Sequence, residues 1–164
     1  MADAFSFSPK QIPPPKEETV VETTQETETV YSIHGITPSR EWQALLRAEL
    51  RRRGIEWYYR TAICQIYQES RWNQYADNGQ DRGITQQKGI YWNSRASRYG
   101  VSGASIWDVQ AQFRVYASMM AEYLRASNND IGWALSLYFY GNGSYAEKYV
   151  ADVMSHIDYL EEVK

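Results

Sequence analysis

The sequence predicts a mainly α domain with one small β-hairpin, preceded by an acidic, proline-containing tail. Three observations predict it. From Thr37 onward the apolar residues recur at helical spacing. Asn78-Gly79, set between short polar runs, is a hairpin-turn signal. Residues 1–36 have a composition that buries too little apolar surface to offset the entropy of ordering. At 164 residues the chain fits one domain with a real core, here residues 37–164.

The tail contains Ile12-Pro13-Pro14-Pro15-Lys16-Glu17-Glu18 and then a run of Thr, Glu, Gln and Val. Its alternating Thr19-Val20-Val21-Glu22-Thr23-Thr24 has the period of an edge strand, with no partner in view. The first helix opens at Thr37-Pro38-Ser39-Arg40-Glu41, an N-cap candidate with proline at the first helical position. Trp42, Leu45, Leu46 and Leu50 then keep helical spacing up to Gly54. A second helix, from about residue 55, is apolar and aromatic and ends at Glu69-Ser70. The hairpin is expected within residues 74–86, and a short helix over residues 88–99.

Ser105-Ile106-Trp107-Asp108 resembles a capping box with Asp in place of Glu. It precedes a long amphipathic helix with Val109, Phe113, Tyr116, Met120, Tyr123 and Leu124 on one face. Asn129-Asp130 caps a helix through Trp133, Leu135, Leu137 and Tyr138, which stops at Gly141-Asn142-Gly143. A last helix is expected over residues 144–160. Asn142-Gly143-Ser144 matches a glycosylation pattern but reads as a helix-end turn.

Charge excludes one large class of function. Asp3, Glu17, Glu18, Glu22, Glu26 and Glu28 outweigh Lys10 and Lys16 in the first 38 residues, so the folded part is nearly neutral. A nucleic-acid partner is therefore not expected, since it would need a basic face. Arg51-Arg52-Arg53 is the one dense basic run, and it lies where a helix C-terminus favours cations. The single cysteine, Cys64, excludes an internal disulfide and reads as a small core residue. His34 and His156 lie far apart in sequence and neither has metal-ligand spacing, so no metal or cofactor is expected. No run reaches the roughly 18 apolar residues of a membrane span, and the N-terminus lacks the plan of a secretion signal.

Glu69 is the residue with chemistry to offer. It closes a buried helix and faces a polar, glycine-punctuated loop, where desolvation raises a carboxyl's proton affinity. A general acid working near neutral pH requires that. Around it the chain is rich in Tyr and Trp, among them Tyr67, Trp72, Tyr75, Tyr91, Trp92, Tyr138, Tyr140 and Tyr145. Such rings can pack in a core or offer flat apolar faces to sugars.

The order Gln68-Glu69-Ser70-Arg71-Trp72-Asn73, then Gly83-Ile84-Thr85-Gln86, then Leu137-Tyr138-Phe139-Tyr140-Gly141-Asn142-Gly143 resembles the soluble lytic transglycosylases, which share the goose-type lysozyme fold. In that family a Glu-Ser pair ends the catalytic helix, Gly-Leu-Met-Gln follows on a hairpin, and Ala-Tyr-Asn with glycines comes later. The resemblance covers roughly residues 40–158. It implies an α+β lysozyme-like fold and cleavage of the β-1,4 bond between N-acetylmuramic acid and N-acetylglucosamine in peptidoglycan glycan strands. Glu69 would protonate the glycosidic oxygen and then accept the proton of the sugar's own 6-hydroxyl, giving a 1,6-anhydro product with one carboxylate and no water. The substrate's acetamido group would assist, as in the substrate-assisted exceptions to two-carboxylate catalysis.

By the same resemblance Ser70 orients the acid or contacts substrate, and Gln86 bonds the sugar. The Tyr138 hydroxyl would lie beside Glu69, and Tyr149 matches weakly a tyrosine of the last helix; Tyr140, like Tyr138 next to a glycine-flanked turn, is a candidate to line the cleft. Phe139 stands where the family has asparagine, and Ile84-Thr85 where Leu-Met is usual. Two alternatives stand beside this reading. Asp77 or Asp81 could position a water, giving an inverting lysozyme, although turn chemistry explains both. A glycan-binding module that has lost the chemistry is the other. The protein is expected to act as a monomer at the bacterial cell wall, its tail tethering another protein. A phage virion or lysis protein, a secretion or conjugation accessory, or the excised domain of a longer exported protein would fit.

Overall fold

The computed structural model describes residues 28–164, and helices make up most of it. Helix α1 (Arg40–Arg52) is capped by Ser39, whose hydroxyl accepts from the Trp42 amide at 3.1 Å, so Pro38 stands before the cap instead of inside the helix. Arg51 in its last turn donates to both carboxyl oxygens of Glu56 and to Glu28. The basic run thus ties down the chain around the end of α1. A 3-10 turn (Glu56–Tyr58) leads into α2 (Tyr59–Ser70), whose first eight positions are all buried apart from Arg60. Cys64 is among them, and burial pushes its thiol up to about 12, far from a nucleophile.

The β-element runs from Asp77 to Lys88, two residues past the end of the expected stretch. Strands β2 (Asp81–Arg82) and β3 (Gln87–Lys88) pair antiparallel, and Asp77 adds a bridge to Arg82. Asn78-Gly79 therefore turns between Asp77 and Arg82, while Gly83 to Gln86 forms the second turn. A 3-10 turn (Gly89–Tyr91) and α3 (Trp92–Arg98) follow.

Helix α4 (Val109–Ala126) is the centre of the molecule. Asp108 itself is the N-cap, accepting from Ala111 at 2.7 Å, and Ser105 accepts from Trp107 in the turn before it. One face, with Phe113, Tyr116, Met120 and Leu124, meets the main core; Ala111, Val115 and Met119 meet a smaller cluster around Trp92, Ala96 and Tyr99. Glu49 of α1 and Arg114 of α4 form a 2.6 Å ion pair at this joint. Helix α5 (Ile131–Tyr140) begins at its Asp130 cap and ends at Gly141, whose φ of +71° is the left-handed stop that glycine accommodates. The Ser144 amide donates to Asn142, the turn expected there.

The last helix is shorter than expected. Helix α6 (Glu147–Ser155) gives way to a 3-10 turn (His156–Tyr159) and strand β4 (Leu160–Val163). Strand β4 pairs antiparallel with β1 (Val30–Ile33), Val30 facing Val163 and Ile33 facing Leu160. Residues 30–36 thus belong to the folded domain, not to the tail expected to end at 36. The reason is a polar side chain in the core. Buried Gln43 accepts from the Tyr31 amide and donates to the Tyr31 carbonyl, both at 2.8 Å, so it completes the strand's free edge. The remainder of the expected tail, including Thr19-Val20-Val21-Glu22, lies outside the described residues. Among those residues no helix is long and apolar enough to cross a membrane.

Candidate active site

Two residues in left-handed conformation terminate α2: Arg71 with φ 53° and Trp72 with φ 61°. The Trp72 ring turns back into the core, donating to the Ile63 carbonyl at 3.3 Å and meeting Phe113 edge-on. With the helix stopped so firmly, Glu69 is held at its end, facing the hairpin. Ser70 does not bond Glu69; its hydroxyl donates to the Ile84 carbonyl at 2.7 Å and fastens the hairpin to the helix.

Inside the hairpin, buried Gln112 of α4 takes over the polar groups. It accepts from the Thr85 amide at 3.0 Å and donates to the Arg82 and Ile106 carbonyls at 3.1 and 2.6 Å. The Thr85 hydroxyl also donates to it. This explains a polar residue at a fully buried position. Gln87 bridges from β3 to two further elements: it donates to Tyr138 at 3.0 Å and accepts from Arg95 at 2.8 Å. Tyr138 in turn donates to the Thr85 carbonyl. Sequence reasoning missed Gln87 and Gln112; the absence of any apolar alternation in the hairpin is the only sign of a polar clasp.

A cleft of about 320 Å³ lies along this assembly, lined by Glu69, Asn78, Asp81, Gln86, Lys88, Arg95, Met119, Tyr138 and Phe139. The structure therefore brings together Glu69, Asp81, Gln86 and Tyr138 from the expected set. Gln86 holds its loop by donating to the Ala76 and Gly83 carbonyls at 3.1 and 2.9 Å. Asp77 is not on that lining: it accepts from the Gly79 amide at 2.7 Å and sits 3.3 Å from Arg82, which is turn chemistry with an ion pair. Tyr140, half exposed, packs edge-on against Phe139 and lines a neighbouring groove of about 260 Å³ with Gln68, Tyr149 and Asp152.

The group that touches Glu69 is Tyr149 of α6, whose hydroxyl donates to Glu69 Oε1. Phe139 stacks on the Tyr149 ring, centroids 4.6 Å apart and planes at 23°. Behind the pair, Tyr149 accepts from the fully buried Gln65 amide at 3.2 Å, and Gln65 accepts from Tyr58 at 2.9 Å and Tyr116 at 2.7 Å. Burial pushes the Glu69 carboxyl up to about 7; the Tyr149 bond opposes this, and the Asp81 charge adds to it. The tyrosines Tyr58, Tyr116, Tyr138 and Tyr149 are all held protonated, chiefly by burial.

On the other flank of α2, Gln68 shares a 2.7 Å hydrogen bond with His156, whose other ring nitrogen lies 2.9 Å from His34. His34 is stacked between Tyr67 and Tyr159 at 4.8 and 4.2 Å. The two histidines thus meet although 122 residues apart in sequence. Among the described residues no group of three His, Cys, Asp or Glu side chains could hold a metal ion. Together the cleft offers one carboxyl that exchanges a proton near neutral pH, beside a second carboxylate, two cations and aromatic walls. Comparisons with family models, curated proteins and solved structures find no match to this chain.

Proposed function

We propose that this protein is a lytic transglycosylase of goose-lysozyme-like fold that cleaves the β-1,4 bond of peptidoglycan glycan strands at the bacterial cell wall. The observation that carries the reading is the Glu69 carboxyl, held at a helix end in a cleft and pushed up to about 7. A group that titrates there can give a proton and take one back in the same turnover. In the first half of the reaction Glu69 protonates the leaving oxygen as the C1–O4 bond breaks. In the second, the sugar's 6-hydroxyl oxygen bonds to C1 and its proton returns to Glu69. Gln86 and Tyr138 lie along the same lining, in keeping with contacts to the sugar.

One observation favours a second reading. Asp81 shares the cleft and its charge bears on Glu69, so an inverting hydrolysis with a water held by Asp81 competes with the anhydro route. Asp77, engaged with Gly79 and Arg82, has less to offer there. Mass spectrometry of the products from purified peptidoglycan separates the routes. Muropeptides ending in 1,6-anhydro-muramic acid are expected, and Glu69→Gln should lower their formation by about 1,000-fold or more while glycan binding persists. Ordinary reducing ends would transfer the reading to hydrolysis. Absence of any product, with glycan binding intact, would leave a binding module.

A further inference from the structure

We propose that Gln65 is a positioning residue: it commits the Tyr149 hydroxyl to donate to Glu69 Oε1, and so places the transferable proton on Oε2. The role of that proton rests on the reading of Glu69 as the acid; the hydrogen-bond order does not.

The order follows from counting donors and acceptors at fully buried groups. Tyr58 and Tyr116 are both without exposure, and each phenol finds its hydrogen-bond acceptor in Gln65 Oε1. Turning the amide over would present an NH2 to both hydroxyls and leave their buried protons without the amide acceptor they share. Gln65 Oε1 is therefore fixed toward them, with both lone pairs engaged. Its Nε2 must face the other way, where it donates to Tyr149 at 3.2 Å and lies 3.9 Å from the Met120 sulfur. Tyr149 already accepts from Gln65, so its own proton points at Glu69 Oε1. When Glu69 is protonated, Oε1 goes on accepting from Tyr149 as a carbonyl oxygen, and the acid proton resides on Oε2. When it is ionised, the same bond stabilises the carboxylate. Gln65 and Glu69 stand four residues apart on α2, one helical turn. The chain thus reads from two core phenols, through one amide and one phenol, to a single carboxyl oxygen.

The test is a carbon-detected NMR titration of the Glu69 side-chain carboxyl in the full chain. Tyr149→Phe, which keeps the ring and removes the donor, should raise the midpoint by about half a pH unit or more. Gln65→Met should move it in the same direction, and Gln65→Met added to Tyr149→Phe should move it no further. Tyr58→Phe with Tyr116→Phe frees the amide to turn and should also raise it; this pair decides the question if Gln65→Met does not fold. A Glu69 midpoint unchanged by Gln65→Met and by the phenol pair, with Tyr149→Phe shifted, would overturn the role of Gln65. No shift with Tyr149→Phe would overturn the whole chain. Because the titration needs no substrate, a wild-type protein inactive on peptidoglycan would sink the proposed activity alone.

Discussion

Glu69 links the chemistry of the cleft to the stability of the fold. Its carboxyl is raised from the ordinary 4.5 to about 7, so the folded state keeps a proton that the unfolded chain gives up. Stability from this group is complete below about pH 4.5 and is lost as pH climbs toward 7. Glu69→Gln removes the titration. Its melting temperature, measured from pH 4 to 8, should gain on the wild type as pH rises and level off above about 7. Residue by residue, the sequence made Glu69 legible because a helix end and its following loop are local features. It was less informative about tyrosines. Tyr138, the stronger match to the motif, donates to the Thr85 carbonyl, while Tyr149, the weaker one, reaches Glu69. Which hydroxyl arrives depends on how α6 lies against α2, and no short stretch of sequence encodes that. Phe139, a departure from the motif, stacks on Tyr149 and so supports the ring that meets the carboxyl.

Among the elements, the hairpin is held by close approach as much as by its ladder of bonds. Gly83 has φ +81°, and a Cβ there would stand 2.3 Å from Gln112 Nε2 and 2.9 Å from the Ile106 carbonyl. Alanine at this position would combine left-handed strain with overpacking, so Gly83→Ala should destabilise by about 2–4 kcal/mol in chemical denaturation. The same change should depress the proposed glycan cleavage beyond the loss of folded protein, since Gln112 carries Thr85 and, through it, Tyr138. Helix starts were readable to within a few residues: Asp130 caps α5 as expected, whereas Ser39 and Asp108 cap helices whose starts the sequence placed at Thr37 and Ser105. The register of the hairpin was not, because the second turn depends on Gln112, a residue 26 positions beyond Gln86.

For the whole molecule, closure of β1 on β4 was invisible in sequence because its two strands lie at opposite ends of the domain. Next to it, the His34–His156 contact joins β1's end to the turn after α6. Burial and His34 lower the affinity of His156 for a proton below its usual 6.5, with Asp152 opposing, while Tyr67, Tyr159 and Gln68 complete the surroundings. Protonation then favours the unfolded chain, so this joint contributes fully above pH 6.5 and weakens as pH falls below it. The slope is opposite to that of Glu69. Between pH 6.5 and 5 the melting temperature of His156→Gln should gain on the wild type as pH falls, whereas that of Glu69→Gln should lose ground to it.

The β1–β4 pairing also has a topological consequence. Val30 and Val163 face each other across the ladder, so the domain's two extremities leave from one edge of the fold. A short linker could join them, and new ends could be opened at the exposed Gly103 turn between α3 and α4. A circular permutant of residues 30–163 would keep Glu69, Tyr149 and Gln112 in their present neighbours' company, and groups attached beside Val30 or Val163 would sit at the same edge of the domain.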